Sequence, residues 1–236
     1  MKIKIRTSFF IITLCWNVLC FGQETIKTTR FGISVTPQLN TTIFKDKEEI
    51  KEWKSTIGLA AAGNFHFDLS PKAQLVTGLE FQYIKYSYKD YSGTWPDEID
   101  SNFIINDLNY FNYQYSLFFI GLPVQMKLKL NSPEKLNHFF LITGITLRYR
   151  FTTAGEVSLV EEGTTTINRN IDEWFWAPDK FWFLGSVGFG YEMKCENHKL
   201  SIAPTFEYSP GQLYNDHGSA IADAHPAFFG ICFSYY

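Results

Sequence analysis

The sequence predicts an all-β fold, namely an eight-stranded antiparallel up-and-down transmembrane β-barrel with short periplasmic turns and long extracellular loops. Three observations predict it: eight segments in which apolar and polar residues alternate, connections that alternate between short and long, and an apolar face without charge. Alternation with period two places successive side chains on opposite faces of a strand. The chain is 18% aromatic, and after its first two dozen residues it has no apolar run of the ~20 residues that a membrane helix needs.

Each segment is placed in chain order by its alternation. In the first segment, for example, Phe31, Ile33 and Val35 alternate with Gly32 and Ser34. The segments run from Arg30 to Leu39, Thr56 to Leu69, Gln74 to Tyr83, Phe118 to Lys129, Phe139 to Arg150, Phe181 to Glu192, Leu200 to Tyr208 and Phe229 to Tyr236. Every segment therefore presents one apolar face and one polar face.

The connections between these segments alternate in length. The short ones are Ser70–Lys72, Asn131–Asn137 and Lys194–Lys199, and the long ones are Thr41–Lys54, Lys89–Asn112, Thr152–Lys180 and Pro210–Ala224. This alternation is typical of an up-and-down barrel that has one rim in the periplasm and the other outside the cell. An even number of strands then places both ends of the barrel chain on the side of the short turns.

The charged residues indicate which face meets lipid. The apolar faces carry no charge, and a Lys or Arg at the bilayer midplane would cost about 2–4 kcal/mol. The polar faces carry charges of both signs, and from them we predict a structural interior charge network of Glu80, Lys127, Arg148, Glu192 and Glu207. Because eight strands leave an interior barely wide enough for its own side chains, we interpret this network as a salt-bridged plug and not as the lining of a pore.

Aromatic residues near the segment ends favour a lipid-facing barrel over a soluble, secreted lipocalin-like one, which stays the alternative. We interpret these aromatic residues as a girdle at the membrane interface. They are Tyr83, Tyr86, Tyr88, Tyr113, Tyr115, Tyr149, Phe181 and Trp182.

Residues 1–22 are predicted to be a cleaved signal peptide, and residues 23–236 the outer-membrane barrel domain. Lys2, Lys4 and Arg6 precede an apolar stretch, and Gly22 lies at the expected cleavage site. A lipoprotein signal with Cys20 acylated is the alternative, although the bulky Leu19 precedes it. Loss of the basic residues changes the formal net charge from −3 to −6, and an acidic exported chain has no electrostatic reason to bind nucleic acid.

Cys195 and Cys232 are the cysteines that follow the predicted signal. A disulfide between them is conceivable in an oxidising compartment. The strand map, however, places Cys195 in a turn and Cys232 four residues from a strand end, about 13 Å apart at about 3.3 Å per residue. Because disulfide Cα atoms lie within about 7 Å, we expect two free thiols.

The mature chain resembles an outer-membrane β-barrel domain family common in Bacteroidetes-type bacteria, which includes PorT-like and porin-family barrel proteins. The stretch Phe119–Lys127 is similar to that family's strand motif of aliphatic residue, Pro, aliphatic residue and Lys. Three other stretches resemble family strands: Phe140–Tyr149, Phe183–Glu192 and Phe206–Gly211. Gly121 departs from the usual Ile-Pro pairing, which affects the local register but not the fold.

The resemblance implies an integral bacterial outer-membrane protein without a common activity. The expected partners are outer-membrane lipid and lipopolysaccharide, the barrel-assembly machinery during insertion, and secretion-system components if the chain is PorT-like. No cofactor is expected. The main hypothesis is a non-enzymatic barrel with a structural or recognition role through its long loops, and the alternative is a PorT-like accessory of secretion or motility.

An enzyme that modifies lipid A or phospholipid is a further alternative, based on Asn215-Asp216-His217-Gly218-Ser219. His217 lies two residues before Ser219, and a His activates a Ser nucleophile when a carboxylate orients its ring. Asp223 is the nearby downstream acid. Asn, Asp and Gly together are more typical of a polar turn, so we predict no catalytic residue.

The sequence signals for a metal site are weak. Cys195 and His198 have the spacing of half a zinc site, whereas structural zinc needs four ligands. His66 and His138 are expected on inward faces, satisfied by interior carboxylates such as Asp68. An acidic loop lacks the spacing of a calcium loop, and its acids are Asp90, Asp97, Glu98, Asp100 and Asp107.

Three tryptophans are grouped around Pro178, namely Trp174, Trp176 and Trp182. They would suit a ligand platform outside the cell. The simpler interpretation, which we favour, is that they belong to the aromatic girdle at the outer interface.

Overall fold

The computed structural model describes residues 29–44, 51–90, 110–132, 136–161, 164–171, 180–211 and 224–236. These residues form the strands β1 (Thr29–Phe44), β2 (Lys51–Lys54), β3 (Thr56–Asp68), β4 (Ala73–Asp90), β5 (Tyr110–Lys129), β6 (His138–Glu161), β7 (Thr164–Ile171), β8 (Phe181–Cys195), β9 (His198–Tyr208) and β10 (Ala224–Tyr235). Within the same ranges, no helix has the length and apolar character to cross a membrane.

Eight long strands close into one antiparallel barrel. Their spatial order is β4-β3-β1-β10-β9-β8-β6-β5, and β5 pairs with β4 to complete the circle. β1 pairs with β10 from Ile33↔Tyr235 to Phe44↔Ala224, so the first and last strands meet. The predicted eight-stranded antiparallel barrel is confirmed.

Alternation of side chains separates an interior from an exterior along each barrel strand. In β6, Ile145 and Leu147 are exposed on the outside, whereas the polar side chains of Thr146 and Arg148 are buried inside. The other barrel strands follow the same rule, because the side-chain period of a strand is two. A chain with this pattern buries its polar face and exposes its apolar face, which is the inverse of a soluble barrel.

The outward face forms an apolar band around the barrel. No outward-facing strand position between the two boundaries of the band is charged in the described residues. On β5 the band extends from Phe118 to Leu128, which is about 33 Å along the strand at about 3.3 Å per residue. At the ~45° tilt of such strands this is about 23 Å along the membrane normal, close to the ~25 Å of a membrane band.

Three strands continue beyond the outer boundary of the band, where the prediction had long loops. The outer projection consists of residues 84–90 of β4, 110–117 of β5 and 152–161 of β6, together with β2 and β7. β2 pairs with the end of β4, and β7 pairs with the end of β6. The predicted loops 41–54, 89–112 and 152–180 are therefore partly strand.

The turns on the opposite rim are short and are held by side chains. The Ser70 hydroxyl accepts hydrogen bonds from the backbone N–H groups of Lys72 and Ala73. The Asn131 side chain binds the backbone of Asn137 and Phe139 across the next turn. Side chains of this type favour turns because they satisfy nearby backbone groups.

The local register around Gly121 is regular. Gly121 pairs with Glu80 on β4 and with Arg148 on β6. The register shift of the β5–β6 ladder lies three residues away, between Phe118 and Phe119, at the boundary where the projection begins.

Candidate functional site

The middle of the barrel contains a cluster of three charged residues from three strands, the middle cluster. Arg148 is fully buried, and its Nε donates to Glu80 Oε1 at 2.7 Å. Its Nη2 donates to Glu207 Oε2 at 2.7 Å. A buried charge is tolerated only when paired and hydrogen-bonded, so the cluster fixes three side chains of β6, β4 and β9 relative to one another.

Gly121 makes this arrangement possible. It lies between Glu80 and Arg148 in one cross-strand row. A Cβ at this position would be 3.2 Å from both Arg148 Cγ and Glu80 Oε1. The glycine thus leaves room for Arg148 to reach across β5 to Glu80. This packing explains why a glycine occupies this position of the strand motif.

A second cluster, the lower cluster, lies toward the rim with the short turns. Lys127 Nζ donates to Glu192 Oε2 at 2.5 Å, and Lys199 Nζ donates to Glu192 Oε1 at 2.7 Å. Lys127 also donates to the hydroxyl of Tyr236 at 2.7 Å. The Tyr236 hydroxyl in turn donates to Glu192.

Tyr236 lies inside the barrel, although its neighbour Tyr235 faces outward. Its ring stacks on His66 with 3.9 Å between the ring centroids. Its backbone N–H and C=O both bond to Lys199. Gly32 provides the space, because a Cβ there would touch Tyr236 Cβ and approach the Tyr235 carbonyl oxygen to 2.7 Å.

Between the two clusters is a chamber. The chamber has a volume of about 80 Å³, counted as the space in which the centre of a water molecule can lie. Its wall includes Arg148 from the middle cluster and Lys127 from the lower cluster, together with Gln38, His66 and Cys232. One water needs roughly 10–15 Å³ of such room, so several waters fit.

A layer rich in aromatic residues, the aromatic layer, fills the barrel interior beyond the middle cluster and continues into the outer projection. Trp182 packs on Phe119 at 4.5 Å and on Phe228 at 6.2 Å between ring centroids. The Arg148 guanidinium lies over the Phe228 ring at 5.5 Å, so the layer covers the middle cluster directly. Its members are at most 2% exposed: Ile84, Tyr86, Tyr115, Leu117, Phe119, Trp182, Leu184 and Phe228.

This layer corrects the interpretation of the aromatic residues. Tyr86, Tyr113, Tyr115 and Trp182 are buried inside the barrel and are not part of a lipid-facing girdle. Tyr83 is partly exposed outside, as are Tyr149 and Phe181, which pair directly on adjacent strands. The side chain of Tyr88 lies outside the described residues.

Of the two histidines predicted to face inward, His66 has a partner other than the expected one. His66 and His138 are both buried on inward faces. Asp68, however, accepts from Arg30 at 2.7 Å and from Gln74 at 2.5 Å, and not from His66. His66 packs on Tyr236 instead, a contact that the sequence could not reveal because it joins residues 66 and 236.

The two cysteines that follow the predicted signal are both free thiols. Cys195 is exposed at the end of β8 and not in the turn itself, and Cys232 is half-buried inside. His198 pairs with Cys195 across that turn and stacks on Tyr235. Among the residues that the structure describes, no three His, Cys, Asp or Glu side chains form a possible metal site.

Several candidate residues lie outside the described residues. These are the segment 215–219 with His217 and Ser219, the acid Asp223, the loop acids between 97 and 107, and Trp174 and Trp176. Asp90 ends β4, but its side chain is not described. Trp182 belongs to the aromatic layer, so the platform interpretation does not apply to it.

A closed antiparallel barrel with an apolar outward band and a salt-bridged interior defines the class of transmembrane β-barrel proteins. Within that class, the chain belongs to the family described as "Outer membrane protein beta-barrel domain", whose model matches residues 21–211. It is an outer-membrane protein. The narrower PorT-like assignment stays a prediction, as does the cleavage of residues 1–22.

Three solved barrels are similar to the chain at low identity. Neisserial surface protein A is 10% identical, with 88% of this chain and 98% of that chain covered and a TM-score of 0.42. Ail of Yersinia pestis is 10% identical, with 87% and 97% covered and a TM-score of 0.34. The N-terminal barrel of Pseudomonas aeruginosa OprF is 7% identical, with 88% and 99% covered and a TM-score of 0.31. No curated protein matches the chain.

Proposed function

We propose that this protein is a non-enzymatic outer-membrane barrel that displays the outer projection at the cell surface for recognition. The observation that carries the proposal is the change in the outward face along β4, β5 and β6. Below the boundary, Phe118 and Tyr83 face outward; above it, the same face carries Ser116, Gln114 and Lys85. Strands that stay paired while their outer face becomes polar extend from lipid into water.

The projection is a rigid support for recognition. Each of its strands is hydrogen-bonded to a neighbour, and Tyr83 bonds Ser116 between side chains at its base, with 3.2 Å between the two oxygens. Its inward residues Tyr86 and Tyr115 belong to the aromatic layer, which joins the projection to the barrel interior. Binding residues held by a paired scaffold lose less entropy on binding than those on a mobile loop.

The orientation of the projection is tested by lysine labelling of intact cells with a membrane-impermeant amine reagent. Lys54 is exposed on the projection side, whereas Lys72 and Lys194 are exposed at the short turns. We expect label on Lys54 and none on the other two until the outer membrane is permeabilised. Label on Lys72 and Lys194 in intact cells would show the opposite orientation and contradict the proposal.

Recognition itself is tested with a photo-crosslinking amino acid introduced at Gln114 on the projection or at Val124 in the band. Both positions lie on the outward face of β5, so they form a matched pair. We expect a discrete adduct with a surface macromolecule from position 114 and only lipid adducts from position 124. Identical adduct patterns from the two positions would contradict a recognition surface.

Two narrower roles stay predictions. If the protein is a PorT-like accessory, its deletion should impair secretion or motility. A lipid-modifying enzyme requires that substitution of His217 and Ser219 by Ala changes the lipid profile, and we expect no change.

A further inference from the structure

We propose that the chamber is a hydrated compartment inside the membrane span, and that Tyr236 is its closure on the periplasmic side. The inference goes beyond the surface role, because it concerns the opposite end of the barrel and holds whether or not the projection binds a partner. It rests on the polar residues that line the chamber, on the charge around it and on the packing of Tyr236.

Buried donors without partners indicate that the chamber contains water. Gln38 and Arg148 both line it, and they are at most 5% exposed. Gln38 Nε2 and Arg148 Nη1 have no hydrogen-bond partner among the described residues, and neither ring nitrogen of His66 has one. An unpaired buried donor destabilises the folded state, and ordered water commonly satisfies such groups.

The charge around the chamber argues for a neutral occupant. At the middle cluster, one guanidinium faces two carboxylates, Glu80 and Glu207, and both carboxylates line the chamber. An anion next to Arg148 would therefore meet two negative charges. Water accepts from Gln38 and Arg148 without this repulsion, so the chemical class of the ligand is water or a neutral acceptor of its size.

The chamber is closed at the outer end by the aromatic layer. Trp182, Phe119 and Phe228 cover the middle cluster and are at most 2% exposed. Exchange with solvent outside the cell would require this layer to open.

At the periplasmic end, Tyr236 packs against the chamber wall and is surrounded by the charged residues Arg30, Lys127 and Lys199. His66 and Lys127 line the chamber, and Tyr236 lies beneath both of them, stacked on the first and hydrogen-bonded to the second. Tyr236 also bonds Glu192, which holds Lys127 and Lys199. Loss of the Tyr236 ring would remove the support of both chamber residues and leave a path from the periplasmic rim.

Two native thiols make the test possible without added labels. Cys232 lines the chamber, whereas Cys195 is exposed at the periplasmic turn. The folded barrel is treated in detergent with N-ethylmaleimide, and mass spectrometry follows the modification of the Cys195 peptide and of the Cys232 peptide separately. Cys195 serves as the internal standard for reagent activity.

In the native protein we expect Cys232 to react much more slowly than Cys195. Tyr236→Ala should speed the modification of Cys232 by at least about tenfold, since reaction no longer needs local opening of the barrel, and leave Cys195 unchanged. Tyr235→Ala is the matched control, because it removes the same side chain one residue away on the outward face, and it should leave the Cys232 rate unchanged.

Each other outcome overturns the proposal. If Cys232 reacts as fast as Cys195 in the native protein, Tyr236 does not close the chamber. If Cys232 stays protected in the folded Tyr236→Ala barrel, the closure lies elsewhere. Equal acceleration by the Tyr235 variant indicates general loosening of the barrel. Should Tyr236→Ala fail to fold, Tyr236→Leu keeps an apolar side chain, loses the hydroxyl contacts and the stacking on His66, and is expected to give the same acceleration.

Discussion

At the scale of single residues, Arg148 has the largest predicted effect because two carboxylates, each only 13% exposed, depend on this buried cation. Arg148→Met leaves Glu80 and Glu207 close together without a cation. Breaking a buried ion pair from one side costs about 3–5 kcal/mol, and we expect a loss of that size in the free energy of unfolding. Urea titration of the barrel in lipid vesicles, followed by tryptophan fluorescence, measures it.

The control for Arg148 removes the whole cluster. Arg148→Met combined with Glu80→Gln and Glu207→Gln leaves no uncompensated charge, and such replacements are often neutral. The triple variant should recover most of the lost stability. A triple variant as unstable as the single one would show that the cost comes from packing and not from charge.

Gly32 offers an independent route to the closure of the chamber. A Cβ at Gly32 would touch Tyr236 and the backbone of Tyr235, so Gly32→Ala must displace the end of β10. We expect this variant to speed the maleimide modification of Cys232. Gly63→Ala, whose Cβ would lie 3.4 Å from the Phe31 ring in ordinary contact, should leave the rate as it is.

The sequence identifies interior residues better than their partners. Alternation alone predicts that Glu80, Lys127, Arg148, Glu192 and Glu207 face inward, because strand geometry fixes the side of each residue. Which carboxylate meets which cation depends on the register and stagger of three or more strands, and the pattern of one strand does not contain this information. The division of these residues into two clusters, one with Arg148–Glu80 and one with Lys127–Glu192, is therefore visible only in the structure.

At the scale of elements, β5 crosses both environments and provides a depth-dependent test. Val124 faces lipid within the band, whereas Ser116 faces outward above it. Val124→Arg should lower the free energy of unfolding in vesicles by about 2–4 kcal/mol, and Ser116→Arg by only about 0–1 kcal/mol. Equal costs at the two positions would place the membrane boundary elsewhere.

The strands of the projection could not be predicted from the sequence, for a physical reason. In the membrane-spanning part of β5 the apolar side chains face outward, but in the projection Tyr113, Tyr115 and Leu117 are apolar and face inward. The apolar face therefore changes side near Phe118, where the ladder also shifts register. A continuous apolar face therefore ends at this boundary, and the pattern of side chains does not predict that the strands continue into the projection.

At the scale of the whole molecule, the aromatic layer and the two clusters predict a barrel without a continuous water path. Reconstituted in planar bilayers, the protein should show no stable channels. The eight large side chains of the aromatic layer fill the interior beyond the middle cluster. Eight strands enclose little more than their own side chains. Stable large channels would contradict the interior described above.

The central claim is that the chain is a closed barrel with its apolar face in lipid, and heat-modifiability tests it most directly. The full precursor is expressed, outer membranes are isolated, and boiled and unboiled samples are compared by gel electrophoresis in mild detergent. The account predicts a band in the outer-membrane fraction that shifts on boiling, because a closed barrel stays folded until its ladder of strands is melted. A soluble protein without a shift would contradict the account and favour a lipocalin-like barrel with its charged face in water.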